Sequence, residues 1–101
     1  MKFGMTDEQY QLLNKLVIEP LKKNNAKVFI FGSRVGTKYH SHSDIDILFQ
    51  KPDASTLPAG LLSEIREAIE ESRFPFTVDL VDKEELASSY RSSVLATMVE
   101  V

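Results

Sequence analysis

Apolar residues recur every three or four positions in two stretches of the chain, the spacing of one face of an amphipathic helix. The first stretch predicts a helix over about 7–23, in which Thr6 and Gln9 form a capping box and Pro20 introduces a kink near the end. The second stretch predicts a helix over about 58–72. The periodic positions are Tyr10, Leu13, Leu16, Val17 and Leu21 in the first helix, and Leu61, Leu62, Ile65, Ala68 and Ile69 in the second.

Three short segments rich in β-branched and aromatic residues predict strands. They are KVFIF at 27–31, DIDILFQ at 44–50 and FTVDLVD at 76–82. Between the first two strands, the residues from Ser33 to Ser43 predict a turn-rich connection that contains one helical turn. After the third strand, Asp82 and Glu85 have the form of another capping box and predict a short helix near 83–90. Helical spacing predicts a last helix from Tyr90, Val94, Leu95 and Met98.

The order of these elements predicts an α/β (α+β) fold, a small mixed sheet of three or more strands with helices packed on it. The helix between strands 2 and 3 is a crossover connection, which makes those two strands parallel. The shorter connection between strands 1 and 2 allows them to be antiparallel neighbours. In that arrangement the end of strand 1, at Gly32 and Ser33, lies beside Asp44 and near Asp79 at one rim of the sheet.

Length and composition restrict the class of protein. The 101 residues suit one domain spanning 1–101, and an apolar fraction of 43% is that of a globular protein. The net charge of −3 argues against a direct nucleic-acid binder. Without cysteine the chain has no disulfide or thiolate metal site. It shows no apolar run long enough for a signal peptide or a membrane span, so we expect a soluble, cytoplasmic protein with no membrane partner.

Charge is spread unevenly along the chain, with +3 in residues 1–51 and −6 in residues 52–101. A solvated acidic helix together with chance explains this difference. An alternative is that the basic half helps to hold an anion.

Three aspartates occur in segments that otherwise predict buried strands. Asp44 and Asp46 are two residues apart, so their side chains point to the same face of a strand, and Asp79 lies within the apolar segment TVDLV. Each one taken alone is explained by an edge position that faces water. Three converging carboxylates repel one another unless a cation is present. Mg²⁺, which prefers carboxylate and phosphate oxygens, is the natural counter-ion.

The residues around these aspartates have less specific signals. Gly32 and Ser33 end a strand and open a turn, where backbone N–H groups and a hydroxyl can approach an anion. Arg34 and Lys38 either bind phosphate or are solvated. His40 and His42 are best explained as loop residues, and Asp82 mainly as a helix cap.

The motif formed by Gly32-Ser33, ten intervening residues and Asp44-Ile45-Asp46, followed by Asp79, resembles that of the DNA polymerase β-like nucleotidyltransferase superfamily. The resemblance covers roughly 7–82, and the short chain resembles the minimal nucleotidyltransferases, the MntA-like group. Arg34 is a common residue after the serine. The second glycine differs, because many family members place it further from the serine than Gly36 lies here.

The resemblance implies a division of labour among these residues. Gly32, Ser33 and Arg34 would bind the triphosphate of a nucleotide, and the resemblance implies ATP as the substrate. Asp44, Asp46 and Asp79 would be both catalytic and metal-binding, with two Mg²⁺ ions as cofactor. The minimal members commonly pair with a small helical HEPN-domain protein, which implies AMP transfer onto a tyrosine of that toxin and an antitoxin role.

Two other functions are compatible with the same sequence. One is a non-catalytic antitoxin that keeps the fold and neutralises its partner by binding alone, although a pure binder has no need for three repelling carboxylates. The other is nucleotidyl transfer to a small molecule, for which related enzymes usually carry a further domain. The oligomeric state, including a homo-oligomer, is left open.

Overall fold

The structure, a computed structural model, describes residues 2–36, 43–52, 56–86 and 88–101. Its helices are α1 (Asp7–Leu13), continued by a π-helical segment (Asn14–Ile18), α2 (Glu19–Lys23), α3 (Leu61–Glu71) and α4 (Ser88–Thr97). Its strands are β1 (Lys27–Phe31), β2 (Ile45–Gln50), β3 (Val78–Asp82) and β4 (Val99–Glu100), and 3-10 turns follow β1 (Gly32–Val35) and β3 (Lys83–Glu85). No helix among these described residues is long and apolar enough to span a membrane.

The first predicted helix is confirmed as an unbroken run of helical turns from Asp7 to Lys23 that changes its hydrogen-bond register in the middle. Its capping box is present, because Gln9 N–H donates to Thr6 Oγ1 at 3.2 Å and Thr6 N–H donates to Gln9 Oε1 at 2.9 Å. The N–H of Glu19 donates to Asn14 O, five residues back. This wider π turn lies directly before Pro20, whose ring would clash with a carbonyl four residues earlier in a regular helix.

The four strands form one mixed sheet in the order β3-β2-β1-β4. As predicted, β1 and β2 are antiparallel and β2 and β3 are parallel. The sequence did not predict β4, which pairs antiparallel with the outer edge of β1. Two residues are too few to produce an alternating pattern, so this strand is defined only by its pairing partner.

One face of the sheet carries the main hydrophobic core. The inward-pointing strand residues pack against α1, the π-helical segment, α2 and α3, and all are less than 10% exposed. They are Val28, Ile30, Ile45, Ile47 and Phe49 from the strands, with Leu13, Val17, Ile18, Leu21, Ile65 and Ile69 from the helices. Burial of this apolar surface is the main stabilising contribution to the fold.

The opposite face carries a smaller cluster that covers only part of the sheet. Phe29, Leu48 and Leu86 are buried there. Partly buried residues complete the cluster, namely Phe31, Val81, Val94, Leu95 and Met98. The short helix predicted near 83–90 is corrected to a 3-10 turn at Lys83–Glu85, and the predicted last helix is confirmed as α4. The side chain of Tyr90, predicted to lie in the last helix, falls outside what the structure describes.

Candidate active site

Asp46 and Asp79 lie side by side on the less covered face of the sheet. The register pairs Asp46 with Phe31 of β1 on one side and with Asp79 of β3 on the other. The next row on this face is Phe29, Leu48 and Val81, which belongs to the smaller cluster against α4. The aspartates therefore occupy the row in which apolar cover ends, which explains how the apolar strand β2 accommodates them.

Water exposure distinguishes the three predicted carboxylates. Asp44, directly before β2, and Asp79, on the edge strand β3, are exposed. Asp46 is half-buried and lies on a strand that is paired on both sides. An edge position facing water is thus a sufficient explanation for Asp79 but not for Asp46.

The electrostatic surroundings of Asp46 favour its protonated form. Burial raises the pKa of Asp46 above its ordinary value of 3.8, and the charges of Asp79 and then Asp44 raise this pKa further. The ion pairs formed between described residues join Lys51 to Asp82 and to Glu84, and they include none of these three aspartates. A cation at this rim would relieve the repulsion.

The donor set suits Mg²⁺, although the protein side chains alone do not complete a site. Among the described residues, no group of three or more histidine, aspartate or glutamate side chains is arranged to hold a metal ion. Mg²⁺ commonly binds to one or two carboxylates and takes its remaining ligands from water and substrate phosphates. The assignment of Asp44, Asp46 and Asp79 as metal ligands stays a prediction.

Gly32 brings the turn after β1 against the carboxylate of Asp46. Its φ of 82° lies in the left-handed region that favours glycine. A Cβ at this position would overlap Asp46 Oδ2 and lie 3.2 Å from Asp46 Cγ. The next residue, Ser33, is exposed. The predicted meeting of the glycine–serine turn with the strand aspartates is therefore present in the fold.

Arg34 has a position that the sequence did not predict. Its side chain is only 1% exposed, so the alternative of a solvated arginine is wrong. Its guanidinium donates to the carbonyls of Ser43 and Phe3 and lies over the ring of Phe76. A buried guanidinium held by backbone carbonyls favours a structural role, and the assignment of Arg34 to triphosphate binding stays a prediction. Lys38, His40 and His42 lie outside the described residues.

Asp82 is confirmed as a cap rather than a member of this site. Its Oδ1 accepts a hydrogen bond from Glu84 N–H at 2.9 Å, and its Oδ2 lies 3.1 Å from Lys51 Nζ. This pairing with Asp82 is the main reason that the pKa of Lys51 is raised. The predicted partner within the capping box was Glu85, whereas the bonded N–H is that of Glu84.

Comparisons with known proteins identify the family and the fold of the chain. The family model described as Polymerase beta, Nucleotidyltransferase matches residues 15–100. A crystal structure of a toxin–antitoxin with AMP-PNP is 26% identical, with a TM-score of 0.62 over 86% of this chain and 70% of that chain. No curated protein matches the sequence significantly.

Two further solved structures show the same fold at lower identity. A mutant of the toxin–antitoxin MntA–HpeT is 23% identical, with a TM-score of 0.60 over 86% of this chain and 70% of that chain. A structure described as a minimal nucleotidyltransferase is also 23% identical, with a TM-score of 0.69 over 96% of this chain and 97% of that chain.

Proposed function

Since the chain belongs to the polymerase β nucleotidyltransferase family, we propose that it transfers AMP from ATP, with Mg²⁺, onto a hydroxyl group. The acceptor is a tyrosine of a HEPN-type toxin, and the transfer makes this protein the antitoxin. The similar toxin–antitoxin structure that contains AMP-PNP supports an adenine nucleotide as substrate and a toxin as partner, while the HEPN type and the tyrosine acceptor belong to the proposal.

One observation carries the proposal, namely the approach of Gly32 to Asp46. A nucleotidyltransferase must hold the phosphates of its substrate next to the metal-binding carboxylates. The space for a side chain at Gly32 is taken by the Asp46 carboxylate, so the turn and the carboxylate meet directly. Asp79 adjoins Asp46 in the parallel register.

Each residue has a distinct task in the proposed reaction. Gly32 and Ser33 bind the triphosphate, and the Ser33 hydroxyl donates a hydrogen bond to a phosphate oxygen. Asp44, Asp46 and Asp79 hold Mg²⁺, which supplies charge neutralisation at the transferring phosphoryl group. Asp79 also accepts the proton of the attacking hydroxyl at a carboxylate oxygen. The acceptor oxygen forms a bond to the α-phosphorus, the bond from that phosphorus to the bridging oxygen breaks, and pyrophosphate leaves.

The open surroundings of the carboxylates favour a protein acceptor. Ser33, Asp44 and Asp79 are all exposed, and the apolar cluster that includes α4 contains Phe31 beside Asp46 but none of these three residues. An acceptor side chain presented by a second protein can reach such an open rim. The second protein would also exclude water from the reacting groups.

Intact-mass measurement tests the proposal directly. The protein is incubated with ATP, Mg²⁺ and its HEPN-type partner, and both masses are then recorded. We expect the partner to gain one AMP, and we expect no gain in the presence of a chelator or with the Asp46→Asn variant. A tight complex with unchanged masses would instead establish the non-catalytic antitoxin.

A further inference from the structure

The Arg34 side chain joins separate parts of the chain around the candidate active site. Its Nε and Nη2 donate to the carbonyl of Ser43 at 3.1 and 2.7 Å, and its Nη1 donates to the carbonyl of Phe3 at 3.1 Å. Its Cζ lies 4.3 Å from the centre of the Phe76 ring. With 1% exposure, the guanidinium is part of the interior rather than of the binding surface.

Its partners are the immediate neighbours of the site residues. Arg34 directly follows Ser33, and Ser43 directly precedes Asp44. Phe76 precedes Thr77, whose carbonyl accepts a hydrogen bond from Ile45 N–H at 2.8 Å and so joins the start of β3 to the start of β2. One side chain therefore links the nucleotide-binding turn, the metal-binding strand and the segment that leads to Asp79.

We propose that Arg34 is a positioning residue of the nucleotidyltransferase reaction, an inference that rests on the function proposed above. It sets the distance between the Gly32-Ser33 turn and the carboxylates of Asp44 and Asp46 without contacting the nucleotide. A shift of the turn or of the segment that carries the carboxylates would move the triphosphate relative to the bound cation. Errors of about 1 Å in such an alignment cost on the order of 100-fold in rate.

The chemistry of the contacts requires arginine. Two nitrogens of one planar fork converge on the Ser43 carbonyl, a third reaches Phe3, and the flat face stacks on Phe76. Lysine retains the charge but offers a single ammonium group and no planar face, so it cannot hold these three partners together. The carbonyl of Phe3 is presented from a backbone with φ of 54°, which is uncommon for a bulky residue. This conformation belongs to a tight turn that is closed by a hydrogen bond from Met5 N–H to Lys2 O at 2.8 Å.

The variant Arg34→Lys separates this role from direct phosphate binding. We expect kcat at saturating Mg²⁺ and ATP to fall about 10- to 100-fold, as for other residues that position the substrate-binding groups without touching the substrate. The KM for ATP should change by less than about threefold, because ground-state contacts to the nucleotide remain. The exposed Arg66 on α3 provides the matched control, since Arg66→Lys should leave both parameters unchanged.

Amide hydrogen exchange measures positioning independently of activity. In Arg34→Lys, exchange should accelerate at 33–36 and 43–46 while α3 keeps its protection. Ile69→Val, in the main core, supplies a control for general loss of stability and should accelerate exchange more evenly. If Arg34→Lys does not fold, Phe76→Leu replaces it, because this change removes the stacking face and leaves an apolar side chain.

The outcomes separate this inference from the proposed function. A rise in the KM for ATP at constant kcat would overturn it and make Arg34 a phosphate ligand. A loss of kcat matched by Ile69→Val at equal stability, or unchanged exchange at both segments, would also overturn it. If the wild-type protein transfers no nucleotide, the proposed function fails, and the exchange pattern alone then decides whether Arg34 positions the two segments.

Discussion

Asp46 and Asp82 lie on adjacent parallel strands, near opposite ends of the β2–β3 ladder. Their surroundings differ in charge, because Asp82 has a lysine partner and Asp46 has carboxylate neighbours. Asp82 has a hydrogen bond from Glu84 N–H at 2.9 Å and an ion pair with Lys51 at 3.1 Å. Asp46 faces Asp79 across the ladder, and its pKa is raised by burial and by neighbouring carboxylates. The charge at the Asp82 end of the ladder is therefore compensated, whereas the Asp46 end carries several negative charges close together.

Under the proposed function, this difference separates a carboxylate that stabilises the fold, Asp82, from one that takes part in the reaction, Asp46. A capping aspartate with a lysine partner needs nothing from outside the chain. Three carboxylates at one rim are expected to need a cation, which under the proposed function would arrive as the Mg²⁺ complex of the nucleotide. The five predictions below test this comparison, beginning with the largest expected effect.

Removal of one charge at the Asp46 end should eliminate transfer. Asp46→Asn and Asp79→Asn keep the shape of the side chain but lose a metal ligand, so we expect transfer at background level with a folded protein. Radiolabelled ATP and the partner protein provide the measurement. Transfer that survives Asp79→Asn but not Asp82→Ala would place the active end of the ladder at Asp82 and reverse the comparison.

A methyl group at Gly32 should displace the carboxylate of Asp46 and leave the Asp82 end of the β2–β3 ladder unchanged. Gly32→Ala forces alanine into a left-handed backbone, at a cost of about 1–3 kcal/mol, and drives its Cβ into the carboxylate. We expect transfer to fall about 100-fold. Gly36→Ala is the matched control, because a Cβ at Gly36 meets nothing within 4 Å. Equal activity of the two variants would refute the close approach.

Ser33 should affect nucleotide affinity rather than the fold. Its side chain is exposed at the Asp46 end, so Ser33→Ala removes one hydrogen bond to a charged phosphate, worth about 1.5–3 kcal/mol. Calorimetric titration with Mg²⁺ and ATP measures the loss, and unfolding by urea should be unchanged. An unaltered affinity would exclude Ser33 from the phosphate site.

The regular elements were predictable because their patterns are local. The bounds of β1 and the capping box of Thr6 follow from neighbouring residues, and the directions of β2 relative to β1 and β3 follow from the lengths of the connections. The π-helical segment and β4 were not predictable in this way. One depends on how the helix accommodates Pro20, and the other on an edge of β1 that sequence spacing does not reveal.

The carboxylates of the candidate site could be singled out from the sequence, but the contacts that Arg34 makes behind them could not. An aspartate inside an apolar strand is conspicuous because its charge is out of place, so Asp44, Asp46 and Asp79 could be singled out. The burial of Arg34 was not predictable, because an arginine after a glycine–serine turn looks the same in sequence whether it faces phosphate or the interior. Its partners Phe3, Ser43 and Phe76 are distant in sequence or chemically ordinary, and only the tertiary fold brings them together.

Loss of the charge at the compensated end should cost stability and spare activity. Asp82→Ala removes the cap of the turn Lys83–Glu85 and the partner of Lys51. We expect a decrease of about 0.5–2 kcal/mol in the free energy of unfolding, measured with urea. Transfer at a temperature well below unfolding should match wild type. The control Glu84→Gln addresses the more exposed ion pair of Lys51, at 3.5 Å, and should cost less.

Loss of the charge of Asp46, at the end of the ladder where carboxylates gather, should not lower the free energy of unfolding in the absence of metal. In chelator, Asp46→Asn should be as stable as wild type or more stable, by about 0.5–1 kcal/mol, a small gain because the carboxyl partly reaches water. The sign follows from the pKa. Because the pKa of Asp46 in the folded protein lies above its ordinary value of 3.8, the ionised carboxylate destabilises the fold at neutral pH.

The advantage of Asp46→Asn should therefore decrease as the pH falls through the raised pKa and disappear below 3.8, where wild-type Asp46 is protonated in both states. Mg²⁺ and ATP should reverse the order at neutral pH, since ligand at 100 times its Kd stabilises the wild-type protein by about 2.7 kcal/mol and should bind the variant far less. Urea unfolding of both proteins across this pH range, with and without Mg²⁺ and ATP, measures each difference. If Asp46→Asn is markedly less stable in chelator, the Asp46 carboxylate is held by protein donors as Asp82 is, and the contrast between the two ends of the ladder does not exist.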